Sequence, residues 1–314
     1  MARILERYLI VWLSLLSLLA AMWPQWCSTL PDPFVATEGI HLKILFGVTM
    51  FAIGWMLPRD EIDQVVRRWP TVFGGTFVQY AAMPLLAYAA ASLFGFEGDT
   101  RVGIVMIGCV PGAMASNVLT LVARGNVSYS LSLTTMATLL APLLVPTVLW
   151  FALGERVAIP GRSIFLTLCA MVVLPVLAGH GFGRWQPGLA PLAKRIGPLI
   201  ANGTILWIIA VVVAKNREGL QAVDTRLVTA LLSINVFGYM AGTFGAIALG
   251  LPSGMRRALT LEIGMQNAGL GSVLAATYFG PAAALPAALY TFGCMFTGTL
   301  LARMWALRDS AASG

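Results

Sequence analysis

Glu262 is the residue whose presence most needs a physical reason. It lies in Thr260-Leu261-Glu262-Ile263-Gly264-Met265-Gln266-Asn267-Ala268-Gly269, inside an otherwise apolar stretch long enough to cross a bilayer. A carboxylate at that depth costs several kcal/mol unless it has a partner. No Lys or Arg lies in the middle of a neighbouring apolar stretch to provide one. The missing positive charge is then a bound cation or a proton, which makes this stretch a candidate ion-coupled site. A neutral, protonated Glu that ties helices together is the structural alternative.

A second apolar stretch is interrupted in a similar way, at Cys109-Val110-Pro111-Gly112-Ala113-Met114-Ala115-Ser116-Asn117. Pro111 removes a backbone donor and obstructs the preceding turn, and Gly112 adds backbone freedom. Gly264, followed by Gln266 and Asn267, does comparable work around Glu262. Unwound backbone frees carbonyl oxygens, which suit a hard cation. The N-termini of the resumed helices offer NH groups and a positive dipole end to an anion. Either break alone reads as a packing kink; two at matching places point to a transport site.

Hydroxyls follow at Ser128, Ser130, Ser132, Thr134, Thr135 and Thr138, after a tight Arg124-Gly125-Asn126 turn. Ser130 and Thr134 are four residues apart and share one helix face, so they can reach the Ser116-Asn117 break. Singly, each hydroxyl is as readily explained by a bond to its own preceding turn. Gln79 is the one amide in its span, with Met83-Pro84 just beyond. A buried amide demands partners, and Gln79 could complete a second cation shell around Glu262 and Gln266.

Long apolar blocks position these groups. Of the 314 residues 58% are hydrophobic and 11% charged, with a mean hydropathy of +0.83. Soluble domains are about 25% charged. Ten blocks each suffice to span the hydrocarbon layer, which takes roughly 20 helical residues. They are Tyr8–Trp26, Gly39–Leu57, Thr71–Gly95, Val102–Ala123, Val127–Leu153, Ser163–Gly183, Gly197–Ala214, Leu227–Gly250, Ala258–Phe279 and Ala282–Ala306. The first follows Arg3 and Arg7 as a signal peptide would. It closes on Trp23, Pro24 and Trp26 rather than on a small-residue cleavage site, and so reads as a true span.

Cys27, Cys109, Cys169 and Cys294 show neither metal-ligand nor disulfide-framework spacing. His41 and His180 lie near span ends and read as headgroup-level residues. An intramembrane enzyme would need a Ser/His or Asp/Asp pair or an Asp-rich motif, and none is present, so the chain is not expected to be an enzyme.

Thirteen of the 20 basic residues fall on the side holding both termini, Arg3, Arg7, Arg59, Arg67, Arg68, Arg184 and Arg257 among them. Seven, including Arg156, fall on the other. The positive-inside rule then puts both termini in the cytoplasm. The same bias accounts for the pI near 9.6, and no basic-aromatic patch suggests nucleic acid. Each span of the second five starts a near-constant distance after its counterpart in the first five. Five is odd, so the second half is expected upside down relative to the first, the inverted repeat of many secondary carriers.

These residues also carry a resemblance. PGAMASNVLTLVARGNVSYSLSLT, from Pro111 to Thr134, and LEIGMQNAGL, from Leu261 to Leu270, resemble the two signatures of the bile acid:sodium symporter family. Gln79 with Met83-Pro84 fits its third helix, and the likeness covers nearly the whole chain. It implies an all-α membrane protein of ten helices in which the broken fourth and ninth spans cross. It implies a panel domain (1–57 and 163–214) beside a core domain (71–153 and 227–306).

The resemblance further implies one sodium ion at Ser116, Asn117, Ser130, Thr134 and Glu262. A second would lie at Gln79, Glu262, Gln266 and the carbonyls of Ile263 and Met265. Asn267 would line the substrate crevice, with Gly112, Ala113 and Cys294 on its border. Cys294-Met295 and Ile234-Asn235 stand where many bacterial members have His-Asn pairs, and Gly112-Ala113 where Gly-Gly is frequent. The expectation is a sodium-coupled carrier of an organic anion such as a bile acid, pantoate or 2-keto acid, in the cytoplasmic (inner) membrane. A proton-coupled exchanger using Glu262 as its proton carrier remains the alternative.

Overall fold

Inside a bilayer there is no water to bond free backbone groups, so each apolar block satisfies its own as a helix. The computed structural model describes residues 9–27, 29–37, 39–154, 157–221 and 223–312. Arg3, Arg7, the start of the first block at Tyr8, and Arg156 lie outside them. The described residues contain no strand and fold as fifteen α-helices, with one π turn and one 3₁₀ turn.

Eight stretches are long and apolar enough to cross a membrane. Six are the continuous helices α1 (Leu9–Trp26), α2 (Gly39–Met56), α4 (Trp69–Leu93), α7 (Val127–Leu153), α12 (Thr225–Ala248) and α15 (Pro281–Ala312). The seventh runs as α8 (Gly161–Leu168), a π turn at Cys169–Val173, and α9 (Leu174–Trp185). The eighth is α10 (Ala190–Lys215), entered by the 3₁₀ turn Pro187–Leu189. The π turn sits where Pro175 lacks an NH and its ring would meet the carbonyl of Met171, so the widened turn absorbs the obstruction.

Two further blocks are each split into a pair of short helices. The first pair is α5 (Gly98–Cys109) and α6 (Ala115–Val122); the second is α13 (Ser253–Gly264) and α14 (Ala268–Tyr278). The short helices α3 (Glu61–Arg67) and α11 (Arg217–Gln221) fill connections.

Helices α1, α2, α9 and α10 pack on one another, while α4, α5, α7, α12, α13, α14 and α15 form a second mutually packed set. In the first set, backbone meets backbone. A Cβ on Gly54 would run into the Val176 backbone, and one on Gly179 into the Phe51 carbonyl. Small residues allow such approach between membrane helices. Gly54→Val is expected to destabilise the protein by roughly 2 kcal/mol, as overpacking does, read as a lower melting temperature in detergent. An unchanged melting temperature would mean that α2 and α9 separate freely.

Polar ties close the ends. Asp224 and Asn126 cap α12 and α7 by accepting from Leu227 N and Tyr129 N, each at 2.9 Å. Arg217 bonds the Ala20 carbonyl and meets Asp32 at 2.5 Å. Arg257 bridges Asp309 and the Ala123 carbonyl just after α6.

Candidate functional site: the crossing of two broken helices

After Cys109 the chain leaves helical geometry, with Val110 at φ −80°, ψ 158°, and it resumes as a helix at Ala115. After Gly264 it does the same, with Met265 at φ −110°, ψ 88°, and resumes at Ala268. The two unwound segments lie antiparallel against each other, Gly112 opposite Gln266. Ala113 N donates to the Met265 carbonyl at 2.7 Å, and Asn267 N donates to the Pro111 carbonyl at 2.8 Å. Backbone groups released by the two breaks thus satisfy one another. Gly112 is required by the crossing itself: a Cβ there would run into the Glu262 carboxylate.

Glu262 is fully buried beside the crossing. Its Oε2 accepts from Ser116 Oγ at 2.5 Å and its Oε1 from Thr134 Oγ1 at 2.7 Å. Those hydroxyls come from α6 and α7, so three helices converge on one carboxylate. None of the ion pairs among the described residues includes Glu262. Ser130, one turn before Thr134, accepts from Thr120 Oγ1 at 3.3 Å. Asn117 is buried and its Oδ1 has no hydrogen-bond partner, while its amide NH₂ reaches Met114 Sδ at 3.6 Å. A buried, unsatisfied oxygen next to an unpaired carboxylate is suited to a hard cation.

A second oxygen-rich group is built around the residues that follow Glu262 in the chain. Buried Gln79 of α4 points its Nε2 to Gln266 Oε1 at 3.5 Å. Gln266 Nε2 in turn donates to the Ile263 carbonyl at 2.7 Å. Met265 presents its carbonyl to Ala113.

Asn267 has two duties. Its Oδ1 caps α14 by accepting from Leu270 N at 3.1 Å, and the residue also lines a narrow cavity between the two helix sets. Met50 and Ile53 of α2, Leu57 just after it and Val176 of α9 form one wall; Gly112, Met114, Thr134, Thr135, Thr138 and Asn267 form the other. One side is apolar, the other carries hydroxyls and the crossing.

Not every sequence-derived candidate gathers here. Cys294 does not line this cavity; it is buried on α15 with Sγ donating to the Thr291 carbonyl of its own helix at 3.4 Å. Cys294→Ala is therefore expected to leave the sodium midpoint of thermal stabilisation unchanged; a large shift would place Cys294 in the ion site. Ser128 and Ser132 turn the other way. Ser132 donates to Glu61 of α3 at 2.8 Å and Ser128 to Gln64 at 2.7 Å. Glu61, which by sequence falls in a connection between spans, is buried, and that burial raises its carboxyl above the usual range against the opposing Ser132 bond. His180 is likewise buried, with neither ring nitrogen bonded, whereas His41 is exposed. Two contributors were missed as such: Asn235 and Tyr290 both donate to the Gly264 carbonyl. The only sequence signal for Asn235 was a lone amide within an apolar span.

The sequence profile described as "Sodium Bile acid symporter family" matches residues 43–222. The chain is 32% identical over 265 residues to "Uncharacterized sodium-dependent transporter YocS" of Bacillus subtilis (strain 168), covering 84% of this chain and 83% of that one. It is 28% identical over 296 residues to "Probable sodium/metabolite cotransporter BASS1, chloroplastic" of Arabidopsis thaliana, covering 94% and 72%. Its identity with "Ileal sodium/bile acid cotransporter" of Oryctolagus cuniculus is 31% over 246 residues, covering 76% and 70%.

Proposed function

The chain belongs to the sodium bile acid symporter family, a family of sodium-dependent membrane transporters, and from that premise we propose that it is a symporter coupling sodium entry to uptake of an organic anion. The observation that carries the proposal is Glu262: a fully buried carboxylate held by two hydroxyls and, among the described residues, paired with no basic side chain, while the buried Oδ1 of Asn117, the residue after its partner Ser116, has no hydrogen-bond partner.

In this reading one sodium ion binds among Ser116, Asn117, Ser130, Thr134 and Glu262. A second binds among Gln79, Glu262, Gln266 and the carbonyls of Ile263 and Met265. The Gln266 amide now on Ile263 turns aside when the second ion arrives. Sodium neutralises Glu262 and so relieves the desolvation of an unpaired charge. It also draws α6, α7 and α13 onto one centre and fixes the two breaks. The anion then enters the cavity next to Gly112 and Asn267. Its acidic end faces the crossing, where the start of α14 presents a positive dipole end, and its apolar body lies against Met50, Ile53 and Val176.

The protein is a polytopic carrier with ten spans in two inverted repeats and both termini cytoplasmic. The panel (1–57, 163–214) and the core (71–153, 227–306) rock about the cavity to alternate access. Coupling follows from linkage: sodium raises anion affinity by the factor with which the anion raises sodium affinity. Bile acids, pantoate and 2-keto acids all have the required shape of one acidic end and an uncharged body.

The test is the melting temperature of purified protein titrated with NaCl against KCl at constant ionic strength, with and without each candidate anion. A saturable rise specific to sodium, enlarged by one of the anions, supports symport. Equal responses to the two salts with a flux driven by pH alone would replace it with proton exchange through Glu262.

A further inference from the structure

The break in the second split helix leaves the Gly264 carbonyl without its helical partner, because Ala268 N donates to the Gln266 carbonyl instead. A buried carbonyl left unsatisfied carries the full cost of its desolvation. Here it receives two side-chain donors from different helices: Asn235 Nδ2 of α12 at 2.8 Å and Tyr290 OH of α15 at 2.8 Å. Both lone pairs are thereby occupied. Both donors are buried, each 1% exposed.

The donors are themselves oriented. Thr297 Oγ1 donates to Asn235 Oδ1 at 2.6 Å, which uses both ends of the amide and leaves it one orientation. Tyr239 OH lies 3.1 Å from the Thr297 hydroxyl. The Tyr239 ring also packs where a Cβ on residue 264 would stand, so only glycine fits that position. Spans α12 and α15 therefore grip a single peptide group.

The residues flanking that peptide group are Ile263 and Met265, whose carbonyls the sodium reading uses. Gly264 lacks the steric restraint of a side chain, and Met265 is already outside helical geometry. The NH of the 264–265 peptide donates to the Leu261 carbonyl at 2.9 Å, so without the grip on its carbonyl the plane is held at one end only and can tilt the neighbouring carbonyls out of alignment. We propose that Asn235 and Tyr290 are positioning residues for sodium. By holding the Gly264 carbonyl toward α12 and α15, they fix the turn that presents the Ile263 and Met265 carbonyls to the ion. The inference rests on the sodium site proposed above and adds a role for two helices that contribute no ligand to it.

The experiment measures the NaCl midpoint of thermal stabilisation for wild type, Asn235→Leu, Tyr290→Phe, the double variant and Thr297→Val. A matched control is Asn216→Leu, which loses a similar buried bond, from its amide to the Val212 carbonyl at 2.8 Å, at the end of α10. Outer partners of metal ligands typically change affinity about tenfold or more when removed. Each single variant at 235 or 290 is expected to raise the midpoint about tenfold, and the double by less than the product, since both act on one acceptor. Thr297→Val, which removes the hydroxyl that orients Asn235 together with its contact to Tyr239, should shift the midpoint in the same direction and serves if Asn235→Leu fails to fold. Asn216→Leu should melt lower in KCl with an unchanged midpoint. Variants at 235, 290 and 297 that behave like Asn216→Leu would overturn the inference while leaving the sodium reading intact. A wild type that does not distinguish NaCl from KCl would overturn both.

Discussion

Glu262→Gln is expected to lose the sodium-specific rise in melting temperature altogether, and to be at least as stable as wild type in KCl. The amide preserves the shape of the side chain and can still accept from Ser116 or Thr134. What it removes is a charge that burial makes expensive when no cation is present. Taking away an uncompensated buried charge is stabilising or neutral, so the sodium-free variant should not melt early. Wild type in NaCl at about a hundred times its dissociation constant gains about 2.7 kcal/mol by mass action. The variant gains nothing, and the two melting curves converge or cross between the salts. This inversion separates loss of an ion site from damage to the fold. A variant that retained a sodium-specific shift with the wild-type midpoint would show that the carboxylate is not a ligand.

Gly112→Ala carries the second largest expected effect. A single methyl group there would occupy the space of the Glu262 carboxylate, at the point where the two unwound segments lie against each other. Either the carboxylate leaves Ser116 and Thr134 or the segments separate and lose the bonds between Ala113 and Met265 and between Asn267 and Pro111. Overpacking of this kind costs roughly 1–3 kcal/mol, and the displaced carboxylate should weaken sodium at least about tenfold, as loss of a ligand-supporting contact does. Ala113→Gly, one residue along, restores the Gly-Gly pair frequent in the family. It keeps the backbone bond and is expected to cost less than about 1 kcal/mol, through chain flexibility alone. The pair is read by sodium titration of melting temperature and by anion uptake. If Gly112→Ala kept its sodium midpoint, the close approach at the crossing would have no part in ion binding.

Much of this site was legible before any helix was placed. Burial depth follows from the length of an apolar block, so a carboxylate in the middle of one is anomalous whatever surrounds it. Pro111-Gly112 and Gly264 mark helix breaks because their effects are local to the backbone. The shared face of Ser130 and Thr134 follows from helical periodicity. The eight long spans and the two split blocks followed from these same local rules.

Partners across space were not legible. Ser116 and Glu262 are 146 positions apart and Thr134 and Glu262 are 128 apart, and no periodicity specifies which oxygen meets which hydroxyl. Ser132 and Thr134 carry the same functional group on one helix. Ser132 nevertheless faces Glu61 while Thr134 faces Glu262, because α7 presents opposite faces to α3 and to the crossing. The burial of Glu61 and His180 depends on how the short connections fold back onto the long helices. Asn235 and Tyr290 converge on one carbonyl only because α12 and α15 flank the same break. The sequence by itself determined that this is a helical membrane protein with one unpaired carboxylate and two interrupted spans, since these are properties of short segments in an apolar medium. Only the tertiary structure decided that the interruptions meet, which side chains close around the carboxylate, and which helices hold the break in place, because those depend on packing between segments far apart in the chain.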